Sequence, residues 1–146
     1  MPSRIRTGDW PCPIARTADL IGDAWAVLIM RDAMMGIRRF EDFQRNLDAP
    51  RSVLTARLQQ LVDAGMLTRT KYQDRPVRHE YRLSDQGRAF WEVLAAMWRW
   101  GDDWLFDGGA PIVLTDATTG TEIRPTVVDA HTGEPVDVRA TRIRRR

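Results

Sequence analysis

Arginine supplies nearly all of the positive charge in this 146-residue chain, and Lys71 is its only lysine. A guanidinium presents N–H groups in a fixed fork that matches two phosphate oxygens or the two acceptors on a guanine edge, which an ammonium cannot do. Arg51 and Arg57 lie in the run RSVLTARLQQLVDAG, Arg38 and Arg39 precede it, and Arg75 and Arg78 follow it in DRPVR. Within that run Ser52, Val53, Thr55, Ala56 and Gln59 are small or polar, the kind of surface that lets a helix approach base edges closely. Arg51, Ser52, Val53, Thr55, Ala56 and Gln59 are therefore candidates for contact in a DNA groove. Arg38, Arg39, Arg57, Arg75 and Arg78 are candidates for phosphate contact. A coding bias would enrich arginine equally well, and a charged loop tip is often merely solvated, so position in the fold must decide.

Other chemistries have little to work with. Cys12, between Pro11 and Pro13, is the only cysteine, which excludes an internal disulfide. At the mouth of a helix it would meet exposed N–H groups and the positive end of the helix dipole, so it is a candidate redox sensor; the alternative is a small packing residue with no resolving partner in its own chain. His79 and His131 lack ligand-spaced partners and are expected to be surface or structural residues, so neither a metal nor a cofactor is expected. The chain has no glycine-rich phosphate loop, no GxSxG and no HExxH, and an enzyme is not expected.

The elements that position these residues follow from apolar spacing. Ile14 to Ile21 fits a short helix with Pro13 in its first turn, and Ala24 to Met35 a more apolar, central one stopped by Gly36. A short extended piece leads into a two-turn helix, Glu41 to Asn46, with Phe40, Phe43 and Leu47 facing inward. After Asp48 and Pro50, Leu54, Leu58, Leu61 and Val62 recur at helical spacing in Arg51 to Ala64, leaving Ser52, Thr55, Ala56, Gln59 and Gln60 on the opposite, polar side. Leu67 to Tyr72 and Val77 to Leu83 read as a hairpin joined by the four residues QDRP. Ser84 is a good N-cap for one long helix reaching Phe106. Four of the six tryptophans lie on that helix, too many for one small domain to bury, so some should meet another subunit. Beyond Ala110, DATTGTE and DAHTGE suggest two hairpin turns in an appended ribbon that ends in the basic TRIRRR.

Helix, turn, helix with a polar outer face, then a basic-tipped hairpin is the order of a winged helix-turn-helix. The stretches CPIARTADLIGDAWAVLIMRDAMMGIRRFEDFQRNL, VLTARLQQLVDAGMLTRTKY and RPVRHEYRLSDQGRAF resemble the HxlR branch of the MarR-like regulators in order and spacing, from Cys12 to about Trp104. That resemblance implies a homodimer joined through the first and last helices of the domain, with Ile14, Ala18, Trp91, Leu94, Trp98 and Leu105 as interface candidates, acting on genes near its binding site. It also implies oxidant sensing at a cysteine placed like Cys12 in some relatives, and a small aromatic effector as a further partner. Where the family often has a Ser or Thr cap on the recognition helix this chain has Pro50, and Asp48 is expected to cap instead. Some relatives carry cysteine pairs at comparable ribbon turns; Thr119 and Thr132 stand here, so the ribbon is expected to hold no metal.

The expected fold class is α+β, mostly α: a winged helix-turn-helix with a C-terminal β-ribbon extension, divided into an N-terminal arm (1–11), a DNA-binding and dimerisation domain (12–107), and the ribbon and basic tail (108–146). Hydrophobic residues at 43% and charged ones at 29% are ordinary for a globular chain. No apolar run approaches the roughly 20 residues of a membrane span, and no signal-peptide pattern follows the first arginines, so a cytoplasmic protein with no membrane partner is expected. Its expected partners are double-stranded DNA and a second copy of itself, with repression the expected sense of regulation. The competing class is a winged helix used for protein interaction or RNA binding, which a large apolar or acidic face in place of Ser52, Thr55, Ala56 and Gln59 would have favoured.

Overall fold

A computed structural model describes residues 5–146. Its first helix, α1 (Pro13–Ile21), has Pro at the first helical position, where a missing N–H costs no hydrogen bond. The next, α2 (Ala24–Met34), is capped by Asp23, whose carboxylate accepts the Ala26 N–H at 2.9 Å. Gly36 follows at φ 93°, a conformation that side chains resist, and turns the chain out of the helix. Ala26, Ile29, Met30 and Ala33 of α2 are buried, as its apolar sequence demands.

Helix α3 (Phe40–Leu47) buries Phe43 completely, while Phe40 and Leu47 are only half-buried. Helix α4 (Arg51–Asp63) sets Leu54, Leu58 and Leu61 into the core. The turn between them differs from expectation: Asp48 adopts φ 49° and terminates α3, whereas Pro50 holds the N-cap of α4 with no side-chain cap. An Asp tolerates the left-handed conformation better than most residues, and here it serves the helix before it.

Strands β1 (Leu67–Asp74) and β2 (Val77–Leu83) pair antiparallel from Leu67↔Leu83 to Asp74↔Val77, with a bulge between Lys71 and Gln73. The second strand has the expected bounds, but the first runs on from Tyr72 to Asp74, so the connection is the two residues Arg75 and Pro76, not four. The Arg38 carbonyl accepts the Tyr81 N–H at 2.7 Å and Arg39 bridges Glu80, so the chain entering α3 lies along the outer edge of the hairpin. Phe43 meets Tyr81 edge-to-face at 6.5 Å, which fastens the hairpin to α3.

The expected long helix is two segments, α5 (Asp85–Ala89) and α6 (Trp91–Trp104), and it stops short of Leu105 and Phe106. At the break the Phe90 N–H bonds the Gly87 carbonyl, three residues back, which tightens the turn. Ser84 caps α5 as expected: its Oγ accepts the Gly87 N–H at 3.0 Å and lies 3.1 Å from the Met66 carbonyl.

The chain divides into two compact units, one ending at Trp91 and one spanning Glu92–Arg146. In the second, Arg99 on α6 donates to the Pro125 carbonyl at 2.7 Å, Arg124 pairs with Asp103 at 2.8 Å, and Asp102 accepts the Ala110 N–H at 2.6 Å. The Arg99 hydrogen bond first, and the neighbouring Arg124 with it, holds the Asp103 carboxyl below its ordinary range. Both expected tail turns are present, each closed by a single bridge, Thr115↔Glu122 and Val128↔Pro135, with Gly120 and Gly133 at positive φ. No helix among the described residues is long and apolar enough to cross a membrane.

Candidate nucleic-acid interface

The outer surface of α4 exposes Arg51, Ser52, Thr55, Ala56 and Gln59, as helical periodicity requires once Leu54, Leu58 and Leu61 face the core, while Val53 is half-buried. Arg51 stacks its guanidinium over the Phe40 ring at 4.7 Å, and Arg39 does the same over Tyr72 at 4.5 Å. Thr55 Oγ1 donates to the Arg51 carbonyl at 2.8 Å and Gln59 donates to Asp63 at 2.8 Å. Their polar ends are thus satisfied within the helix until something replaces those bonds. The first turn of α4 has no side-chain cap and no acidic residue, so its N–H groups and the positive end of its dipole are left for an anion.

Ion pairing separates the arginines between Arg31 and Arg88 into two groups. Arg31, Arg45, Arg57, Arg82 and Arg88 each pair with a carboxylate. Arg38, Arg39, Arg51, Arg69, Arg75 and Arg78 form no ion pair among the described residues, and all six are exposed. Arg57 therefore departs from the phosphate-contact expectation: it is half-buried and its Nε lies against Asp23, the cap of α2, in a close ion pair that lacks hydrogen-bond alignment. Gln60 departs too, donating to the Leu20 carbonyl at 2.8 Å instead of joining the polar outer face. Arg75 stands at the hairpin tip, whereas Arg78 lines a cleft between α4 and the hairpin. Lys71 is neutralised by Asp74 at 2.6 Å.

Sequence reasoning missed the groups that set the geometry of this face. Asp32 is fully buried, chelated by Arg31 at 2.8 Å and by Asn46 Nδ2 at 2.8 Å, so α3 is locked to α2. Nothing in the spacing of Asp32 marks it as a core residue, although an adjacent charged pair, Arg31 and Asp32, within so apolar a helix was the available signal. Phe40, Tyr72, Arg69 and His79 line the same cleft as Arg51 and Arg78.

The HxlR-like helix-turn-helix family model matches residues 20–108, more than half of the chain and all of the elements that build this face. The chain belongs to the HxlR-like helix-turn-helix family. It is a transcriptional regulator with a helix-turn-helix domain, and the mostly helical fold with its two-strand wing is the winged form of that domain. It is 39% identical over 127 residues to the HTH-type transcriptional regulator Mb3122 of Mycobacterium bovis, itself uncharacterised, covering 86% of this chain and 80% of that protein. The crystal structure of PA1607, a candidate transcription factor, superposes with a TM-score of 0.85 at 35% identity over 95% of this chain and 98% of that one. The redox regulator HypR in its reduced form matches with a TM-score of 0.59 at 29% identity, over 63% and 92% of the two chains.

In this HxlR-like chain the residues expected at a dimer interface are largely uncovered. Ile14 of α1 is 75% exposed and Leu105 66%; Trp91 and Ala18 are exposed, and Leu94 and Trp98 are half-buried. Trp100 and Trp104 of α6 are exposed as well. Cys12 is half-buried at the N-cap of α1 and makes no side-chain cap bond. Among the described residues no group of His, Cys, Asp and Glu gathers in a metal-binding arrangement. At the two ribbon turns Asp116 accepts the Thr118 and Thr119 N–H groups, and Asp129 accepts that of His131.

Proposed function

We propose that this HxlR-like regulator binds double-stranded DNA sequence-specifically as a homodimer on a pseudo-palindromic operator and acts chiefly as a repressor, in the cytoplasm. The observation that carries the proposal is the set of exposed arginines without carboxylate partners around the uncapped start of α4. The chain carries nearly as many carboxylates as cations, 20 against 22, and the other arginines between Arg31 and Arg88 pair with them. Leaving this group unpaired costs electrostatic self-repulsion, which a polyanion relieves.

A helix about 10–12 Å wide fits the major groove, so Arg51, Ser52, Val53, Thr55, Ala56 and Gln59 read base edges while Arg38, Arg39, Arg75 and Arg78 hold phosphates on either side. Exposed Ile14, Ala18, Trp91 and Leu105, with Leu94 and Trp98, are covered by a second copy. The two recognition helices then meet half-sites about 10 bp apart, or a multiple of that. Residues 12–107 make up the DNA-binding and dimerisation domain, and 108–146 its appendage. HypR is a redox regulator, which supports an oxidant-responsive role for Cys12 at the start of the proposed dimer helix.

The test is binding of purified protein to its own upstream DNA and to random duplex at two salt concentrations, with and without a mild thiol oxidant. Specific, salt-sensitive binding supports the regulator reading, and a change on oxidation that Cys12→Ser abolishes supports the sensor. Failure to bind either duplex turns the assignment to an interaction module.

A further inference from the structure

Between α4 and the wing lies an open cleft of about 260 Å³. Its walls carry the cations Arg51, Arg69 and Arg78, none of them ion-paired among the described residues, and a single carboxylate, Glu41. Arg69 on β1 and His79 on β2 also touch each other across the hairpin: Arg69 Nη2 lies 3.2 Å from His79 Nδ1. The register pairs Arg69 with Tyr81 and Lys71 with His79, so the two are diagonal cross-strand neighbours.

That contact fixes the chemistry of the imidazole. A guanidinium only donates, so His79 Nδ1 must accept, and the ring proton sits on Nε2. In that arrangement His79 offers Nε2–H as a donor, and Arg69 is held in place by the ring. An open cleft lined by three cations and a ring N–H donor suits an anion that is part of a passing chain. With α4 read as entering a groove, a strand running from Thr55, which lines the cleft, toward Arg75 at the wing tip would pass it.

Resting on the reading that α4 enters a DNA groove, we propose that the cleft seats one backbone phosphate of the duplex, held by Arg69 with His79 as the second donor. Glu41 opposes that phosphate and limits its affinity. Neither Arg69 nor His79 reads sequence, so both contribute alike on any duplex.

The experiment compares wild-type protein with Arg69→Gln, His79→Gln and Glu41→Gln on upstream and random duplex across a salt series, with thermal melts as a fold control. Arg69→Gln is expected to weaken binding to both duplexes by about tenfold at low salt and to lower the slope of log affinity against log salt by about one. His79→Gln should weaken both duplexes by less than Arg69→Gln does, since it removes a ring N–H donor and no guanidinium, and Glu41→Gln should tighten both. The chain has two histidines, so the His79 ring resonance is assigned by its loss in His79→Gln and should shift on adding duplex while that of His131 does not. Wild-type slopes and affinities in both the Arg69 and His79 variants, with an unmoved His79 resonance, overturn the seat while leaving the regulator reading intact. An equal shift with inorganic phosphate alone at the same concentration overturns the assignment to duplex, and a wild type that binds neither duplex removes the seat together with the reading beneath it.

Discussion

Asn46 Nδ2 donates to the fully buried carboxylate of Asp32 at 2.8 Å, and through that one bond the helix before the recognition helix is tied to the central helix. Among the described residues Asp32 has only Arg31 besides, so the buried acceptor depends on both. Asn46→Ala should destabilise the protein by about 1–3 kcal/mol, because a buried charged acceptor loses a partner and keeps its desolvation penalty. Urea unfolding measures this, and an unchanged midpoint would show that water replaces the amide without cost.

Two glycines should respond in opposite directions. A Cβ on Gly87 would lie 2.0 Å from the Met66 carbonyl oxygen, so Gly87→Ala must push α5 away from the start of the wing, at a cost of about 1–3 kcal/mol. On Gly101, within α6, a Cβ meets nothing nearer than Leu105 Cδ1 at 3.9 Å, and Gly101→Ala should stabilise by about 0.5–1 kcal/mol. Thermal melting of the pair decides both.

Specificity and affinity should separate by residue. Ser52→Ala or Thr55→Ala should change which sequence is preferred, whereas Arg75→Gln should weaken all duplexes alike. Selection from a random-duplex pool before and after each change tests this division; equal losses on specific and random DNA for all three would remove it.

Acid should loosen the first tail turn in a defined window. Hydrogen bonds from the Thr119 and Thr118 backbone N–H groups, together with the Thr119 hydroxyl, hold the Asp116 carboxyl below its ordinary 3.8. A depressed carboxyl stabilises the turn above pH 3.8 and loses that contribution as pH falls through the lower folded value. The Thr118 and Thr119 amide resonances should therefore move with a midpoint below 3.8, and a midpoint at or above it would contradict the bonding.

Most of the fold was legible because apolar spacing is a direct record of burial. Leu54, Leu58 and Leu61 announced the buried side of α4, Ser84 the cap of α5, and Gly36 the turn after α2. What stayed hidden depended on partners distant in the chain. Arg57 and Gln60 look like surface residues until α4 is packed against the Leu20–Asp23 turn, where Asp23 and the Leu20 carbonyl claim them. Asp48 looked like a cap for the helix after it and became the end of the helix before it, since Pro50 already set the extended entry to α4. The cleft residues Arg69 and His79 were separated by ten positions and meet only through the wing register.

The central claim is that, between Arg31 and Arg88, the arginines left without carboxylate partners form the DNA face and the paired ones do not. Its most direct test is the salt dependence of duplex binding for Arg78→Gln against Arg57→Gln, each checked for folding. Removing the unpaired Arg78 should lower the slope of log affinity against log salt by about one, while removing Arg57, engaged by Asp23, should leave the slope at the wild-type value. The reverse pattern, a slope lowered by Arg57→Gln and untouched by Arg78→Gln, would contradict the assignment of the face.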